Sequence, residues 1–85
     1  MEYKIVVSEK LDDILKKLSK AKPTVLINLK KQIMKVANNP YAGKPLRNVL
    51  KNYRRVHIGP FVLVYEIHGN EIRLENFTHH DKAYK

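Results

Sequence analysis

The stretch YRRVHIGPFVLVYEIHGNEIRLENFT, from Tyr53 to Thr78, decides the fold of this chain because it reads as three successive β-strands. Residues 53–58, 61–68 and 71–78 are rich in β-branched and aromatic residues. Gly59-Pro60 separates the first two segments and Gly69-Asn70 separates the last two, and both dipeptides are typical of tight turns. The stretch therefore predicts three antiparallel strands.

Upstream of these strands, the sequence predicts one more strand and two helices. Residues 2–8 alternate like a strand, and Ser8 suits the N-cap of a helix whose first turn is acidic. Pro23 fits the first turn of a second helix, which ends before Pro40. The segment 39–46 contains two prolines and a glycine and is predicted to be a loop. Each helix has an apolar face at helical spacing, formed by Leu11, Ile14, Leu15 and Leu18 in the first and by Leu26, Leu29, Ile33 and Val36 in the second.

The order β-α-α-β-β-β predicts an α+β fold in one domain, residues 1–85. Because few residues join the helices, we expect an antiparallel helical hairpin packed on a twisted, mainly antiparallel four-stranded sheet. The other face of the sheet is then available to a ligand. The absence of cysteine excludes a disulfide framework and a thiolate zinc site. The apolar runs are too short to span a bilayer, so we expect a cytoplasmic protein.

Charge is distributed unevenly along the chain, which has a formal net charge of +9. From Ile14 to Tyr65, 52 residues contain 12 Lys and Arg and no Asp or Glu. A concentrated positive potential attracts polyanions and increases their association rate. The sequence therefore predicts RNA, DNA or a strongly acidic protein as the partner.

The strand at 53–58 supplies the first candidate functional residues. Period-two alternation directs Val56 and Ile58 towards the helices, and Arg55 and His57 onto the open face of the sheet. One interpretation is that Arg55 and His57 are ordinary exposed polar residues. The other is a phosphate-binding guanidinium beside an imidazole that can transfer a proton near neutral pH.

The tail after the last strand adds two histidines. A metal site is one interpretation of this region, with His57, His79, His80 and Asp81 as possible ligands. However, adjacent histidines lack the defined spacing of a metal motif, so no metal is predicted. The aromatic residues are interpreted as packing groups rather than as base-stacking platforms: Tyr41, Tyr53, Tyr65 and Phe77.

Several segments, taken in order, resemble one known family over nearly the whole chain. Residues 39–46, NPYAGKPL, lead to YRRVHIG at 53–59 and VYEI at 64–67, and the chain closes with HHDKAY at 79–84. Their order and spacing are similar to those of the RelE/ParE superfamily of type II toxin–antitoxin toxins.

This resemblance implies a ribosome-dependent mRNA endoribonuclease that needs neither a metal nor a cofactor. The RNA 2′-hydroxyl attacks the adjacent phosphorus, which requires a base, cations for the phosphorane and an acid for the leaving oxygen. By position, the resemblance assigns catalytic roles to Arg55, His57, His80 and Tyr84. The nearby basic residues are predicted to bind RNA phosphates: Lys44, Arg47, Arg54, His79 and Lys82.

The sequence departs from the family pattern at two places. Phe61-Val62 stands where many RelE-type toxins carry Tyr-Arg, so the transition-state cation must come from Arg54, Arg55 or the tail. His57 and His80 replace the usual lysine and arginine, which is similar to the histidine-using YafQ branch. The catalytic Asp of that branch falls at Phe61 here.

Two alternatives stay open within the same superfamily. One is a ParE-like toxin that inhibits DNA gyrase without ribonuclease chemistry, and the other is a catalytically degenerate toxin that still binds its antitoxin. All of these interpretations predict an acidic, RelB-like antitoxin lying over the basic surface, and a toxin–antitoxin heterotetramer is one expected assembly. The ribonuclease interpretation adds the ribosome and mRNA as partners, and none includes a membrane.

Overall fold

In a computed structural model that describes residues 3–46 and 52–79, two helices pack on one face of a five-stranded sheet. The strands are β1 (Lys4–Val7), β2 (Lys44–Pro45), β3 (Tyr53–Ile58), β4 (Phe61–His68) and β5 (Glu71–His79). The helices are α1 (Glu9–Ala21) and α2 (Pro23–Asn38), and a 3₁₀ turn spans Pro40–Ala42. The predicted order of strands and helices is confirmed, with the short β2 as an addition.

The strands lie in the order β1-β5-β4-β3-β2, with β1 parallel to β5 and every other pair antiparallel. Both predicted hairpin turns are present. Gly59 and Gly69 have φ of 60° and 61°, a left-handed conformation that glycine adopts without a steric penalty. The sheet is therefore mainly antiparallel, as predicted.

The segment 39–46 is more ordered than the predicted loop, because distant side chains hold its backbone. Arg54 on β3 donates hydrogen bonds to the carbonyls of Tyr41 at 3.2 Å and Gly43 at 2.7 Å. The Tyr65 hydroxyl on β4 donates to the carbonyl of Pro40 at 2.5 Å. These contacts place Lys44–Pro45 beside β3 as the fifth strand.

Ser8 caps α1 as predicted and also joins that helix to the sheet. Its Oγ accepts a hydrogen bond from the backbone N–H of Leu11 at 3.0 Å. The same hydroxyl donates to the carbonyl of Glu75 on β5 at 2.8 Å. The Ser8 side chain therefore holds the start of α1 against β5.

The hydrophobic core lies between the two helices and the sheet. The helices present their apolar faces much as predicted, although Val25 rather than Leu26 packs against the buried residues. Tyr65 and Phe77 are buried, whereas Tyr41 is 58% exposed, so the packing role predicted for Tyr41 is wrong. No helix within residues 3–46 and 52–79 is long and apolar enough to cross a membrane. The buried core residues are Leu11, Leu29, Val36, Ile58, Leu63, Tyr65, Ile72, Leu74 and Phe77.

Candidate functional site

The sheet has one face covered by α1 and α2, which we call the covered face, and an opposite face, which we call the open face. On β3, Val56 and Ile58 pack with the core and therefore lie on the covered face. Because side chains alternate along a strand, Arg55 and His57 lie on the open face, as predicted from the sequence. Arg55 is half-buried and His57 is exposed.

Strand register arranges the open face in rows that run across the strands. The first row is His57 on β3, Val62 on β4 and Thr78 on β5. The second row is Lys44 on β2, Arg55 on β3, Val64 on β4 and Asn76 on β5. Neither row contains an acidic residue, and their β2–β3 end carries Lys44, Arg55 and His57 side by side.

The third row has a different electrostatic character. It consists of Tyr53, Glu66 and Arg73, and Arg73 pairs with Glu66 at 3.8 Å and with Glu71 at 3.1 Å. Burial raises the pKa of the Tyr53 phenol, and the carboxylates of Glu66 and Glu75 raise it further. The open face therefore changes from basic to acidic along the direction of its strands.

Val62 occupies the position where the family resemblance leads one to expect an arginine. Its side chain is fully buried and lies directly opposite His57 in the strand register. The missing guanidinium therefore leaves an apolar group in the first row. Arg55 in the second row supplies a guanidinium on the same face.

Arg54 does not lie on the open face with Arg55 and His57. It lies on the covered face, opposite Tyr65 in the register, and its guanidinium donates to two backbone carbonyls of the segment before β2. The same guanidinium carbon is 5.0 Å from the centre of the Tyr41 ring. These contacts give Arg54 a role in holding the chain together.

His79 is also separated from His57 by the sheet. It lies opposite Phe61 on the covered face, with its ring edge-on to that of Phe61 at a centroid distance of 5.9 Å. His57 and His79 therefore cannot bind one metal ion across the sheet in this arrangement. Within residues 3–46 and 52–79, no three histidine, aspartate or glutamate side chains cluster in a way that could hold a metal.

The predicted site residues thus divide into three groups. Lys44, Arg55 and His57 come together on the open face, while Arg54 and His79 lie on the covered face. The remaining four predictions fall outside the described residues: Arg47, His80, Lys82 and Tyr84.

Two polar residues of the open face were missed by the sequence reasoning. Asn76 and Thr78 end the second and first rows on β5. Strict alternation from Leu74 places both on the covered face, but a β-bulge leaves Glu75 between the partners of Tyr65 and Val64. The bulge reverses the facing of the residues that follow it. The spacing of Ile72, Leu74 and Phe77, with an extra residue before the phenylalanine, is the sequence signal that could have revealed it.

Sequence comparison identifies the family. Residues 5–84 match the family described as the ParE toxin of type II toxin–antitoxin systems, parDE. The chain belongs to this toxin family. It is a type II toxin of the RelE/ParE superfamily, as the sequence resemblance predicts.

Individual relatives agree with this assignment. The toxin is 38% identical over 86 residues to the putative toxin RelE4 of Methanocaldococcus jannaschii, across 98% of this chain and 92% of that protein. Its fold is similar to the YoeB/ParE toxin from Agrobacterium tumefaciens, with a TM-score of 0.80, 17% identity, and coverage of 91% and 98%. It is also similar to a chain of the toxin–antitoxin complex RelBE2 from Mycobacterium tuberculosis, with a TM-score of 0.77, 22% identity, and coverage of 93% and 99%. The predicted α+β toxin fold is confirmed.

Proposed function

We propose that this toxin is an endoribonuclease that cleaves ribosome-bound mRNA, with its site on the first two rows of the open face. The observation that supports this proposal is the juxtaposition of Lys44, Arg55 and His57 on adjoining strands, on the face of the sheet opposite to α1 and α2. The rows that hold these residues contain no acid to repel a phosphate. Two cations for the phosphorane and an imidazole as the base are two of the three kinds of group that metal-free phosphodiester cleavage requires, the third being an acid for the leaving oxygen.

In the proposed reaction, the ribose 2′-hydroxyl forms a bond to the adjacent phosphorus and the bond from phosphorus to the 5′-oxygen breaks. His57 takes the proton of the attacking hydroxyl, and His80 gives a proton to the leaving 5′-oxygen. Arg55 and Lys44 stabilise the charge that develops on the phosphorane oxygens. The products are a 2′,3′-cyclic phosphate and a 5′-hydroxyl, and no metal or cofactor takes part.

The roles of the remaining predicted residues follow from the resemblance and from their positions. We assign Tyr84 to holding the RNA, and Arg47 and Lys82 to binding its phosphates, as the resemblance implies. His79 is left out of the site, because it lies on the covered face beside Phe61. Arg54 is assigned to the fold instead, because its guanidinium already donates to the carbonyls of Tyr41 and Gly43.

Mapping cleavage after induced expression tests the proposal. We expect primer extension on translated mRNA to show new 5′ ends in cells that express the wild-type toxin. Arg55→Ala and His57→Ala should abolish these ends together with the growth arrest. Lys17→Ala is the matched control, because Lys17 is exposed on α1, which packs on the other face of the sheet. Unchanged cleavage by both site variants would refute the assignment.

A ParE-like action on DNA gyrase is the second candidate, because the matching family carries the ParE description. In that case the message stays intact after induction while DNA damage appears. Neither cleavage nor DNA damage, with growth unaffected, would support a degenerate toxin that only binds its antitoxin. The same induction experiment therefore separates all three functions.

We further propose that an acidic, RelB-like antitoxin covers the outer side of α2. Ile27 and Met34 are 54% and 68% exposed there, with Lys30 and Lys31 exposed between them. An apolar stripe flanked by cations fits an acidic amphipathic helix. Ile27→Ser with Met34→Ser should weaken co-purification with a cognate acidic antitoxin. Val7→Ser, at an exposed position on β1, should not.

A further inference from the structure

The two rows that hold Arg55 and His57 extend beyond these residues to β5. Their far end carries the amide of Asn76 and the hydroxyl of Thr78, both on the open face. The cationic end and this neutral polar end are separated by β4, where Val62 and Val64 lie. Two inter-strand spacings, about 10 Å in total, therefore separate the Arg55 position from the Asn76 position.

The amide of Asn76 has an unused hydrogen-bonding capacity. Its Oδ1 is buried, and it accepts no hydrogen bond within residues 3–46 and 52–79. A buried acceptor without a donor is destabilising, and native structures contain few of them. A ligand that brings a hydroxyl donor to this end of the row would satisfy the acceptor.

The acidic part of the face limits where a nucleic acid can lie. Glu66 and Glu71 occupy the open face beyond the second row, and Glu75 acts on the Tyr53 phenol from β5. Arg73 pairs with Glu66 and Glu71, but three carboxylates against one guanidinium leave this part of the face negative and unfavourable for phosphates, whereas the first two rows carry no acid. A strand bound at Arg55 is therefore directed across the sheet towards β5 rather than along the strands.

We propose that Asn76 and Thr78 form a ribose-recognition site, and that single-stranded RNA crosses the open face from β2 to β5 to reach it. This inference rests on the proposed function. The 2′-hydroxyl both donates and accepts hydrogen bonds, so it can donate to the Asn76 amide oxygen and accept from the Thr78 hydroxyl. This recognition requires the Asn76 amide to turn about its terminal torsion on binding, because its oxygen is buried in the free toxin. Since DNA lacks this hydroxyl, the pair makes the toxin selective for RNA.

Paired binding measurements test the inference. A labelled RNA oligonucleotide and a DNA oligonucleotide of matching sequence are titrated with purified toxin at low salt, and fluorescence anisotropy gives the ratio of the two dissociation constants. We expect the wild-type toxin to prefer RNA. Asn76→Ala and Thr78→Val should each reduce that preference by about 3- to 10-fold, the contribution of one hydrogen bond. Asn28→Ala, at an exposed asparagine on α2, should leave it unchanged.

Asn76→Asp distinguishes recognition of the ribose from general electrostatics. It keeps the shape of the side chain but adds a negative charge to the second row. It should therefore weaken the binding of RNA and of DNA together. Thermal melting of each variant verifies that it is folded. If Asn76→Ala does not fold, the single variants Thr78→Val and Asn76→Ser are used in its place to measure the preference for RNA.

The outcomes separate this inference from the proposed function. If wild-type toxin binds RNA and the variants keep the wild-type ratio of RNA to DNA affinity, the ribose site is refuted and the endoribonuclease proposal stands. Equal affinity of the wild-type toxin for RNA and DNA would likewise refute the ribose site and leave the endoribonuclease proposal standing. If wild-type toxin binds neither oligonucleotide even at low salt, the ribose site is refuted, and the endoribonuclease proposal is decided by the cleavage mapping on translated mRNA.

Discussion

Replacing Tyr65 with phenylalanine should destabilise the toxin by removing one buried hydrogen bond. The Tyr65 side chain is fully buried, and its hydroxyl donates to the carbonyl of Pro40, which is also buried. The substitution keeps the ring and leaves that carbonyl without its donor, at a cost of about 1–3 kcal/mol. For a domain of this size, about 2 kcal/mol lowers the midpoint of thermal unfolding by roughly 8–16 °C.

The measurement is thermal unfolding of the purified, antitoxin-free toxin, followed by circular dichroism. Tyr41→Phe is the matched control, because it also removes a phenolic hydroxyl but from a side chain that is 58% exposed. We expect its midpoint to stay close to that of the wild type. Equal midpoints for the wild type and Tyr65→Phe would refute the reasoning.

The pH dependence gives a second readout of the burial of the Tyr65 hydroxyl. Burial raises the pKa of Tyr65 above its ordinary value of 10.0. A raised folded-state pKa means that the folded toxin holds this proton more tightly than the unfolded chain does. The resulting stability is fully present below pH 10 and is lost as the pH rises through the folded-state pKa. The difference in stability between wild type and Tyr65→Phe should therefore narrow above about pH 10.

Three further substitutions test other contacts by the same unfolding measurement. Ser8→Ala should cost about 1–2 kcal/mol, because the hydroxyl caps α1 and also bonds to β5; Ser8→Thr, which keeps a capping hydroxyl, should retain most of the stability. Gly43→Ala should cost about 1–3 kcal/mol, because a Cβ there would overlap the Tyr65 hydroxyl, which leaves no room for a methyl group. Arg54→Met should cost about 1 kcal/mol through the lost bonds to two carbonyls. Wild-type stability in Ser8→Ala, Gly43→Ala or Arg54→Met would contradict the contact that the variant tests.

Much of the fold could be predicted because its signals are local. Gly59-Pro60 and Gly69-Asn70 mark the hairpins, and Ser8 and Pro23 mark the helix starts, each through the backbone geometry of a few adjacent residues. The segment before β3 could not be predicted in the same way. Its conformation depends on Arg54 and Tyr65, which reach it from strands 11 and 25 residues away.

The candidate site was predictable on β3 and not on β5. Val56 and Ile58 mark the covered face of β3, so simple alternation assigns Arg55 and His57 to the open face. On β5, the bulge at Glu75 reverses that alternation, and its position depends on pairing with β4. Alternation alone would have assigned the residues after the bulge to the wrong face.

The sequence by itself determined the order of strands and helices, the basic character of the surface and the toxin superfamily, because these depend on periodicity, composition and residue order along the chain. Only the tertiary structure decided which basic residues share a face. Arg54 and Arg55 are neighbours in sequence, yet one holds backbone carbonyls on the covered face while the other lies on the open face. Asn76 joins Arg55 in one row because a single extra residue shifts the strand register. The distribution of charge is evident from the sequence alone, but the face of the sheet on which a residue lies depends on how its strand pairs with the neighbouring strand.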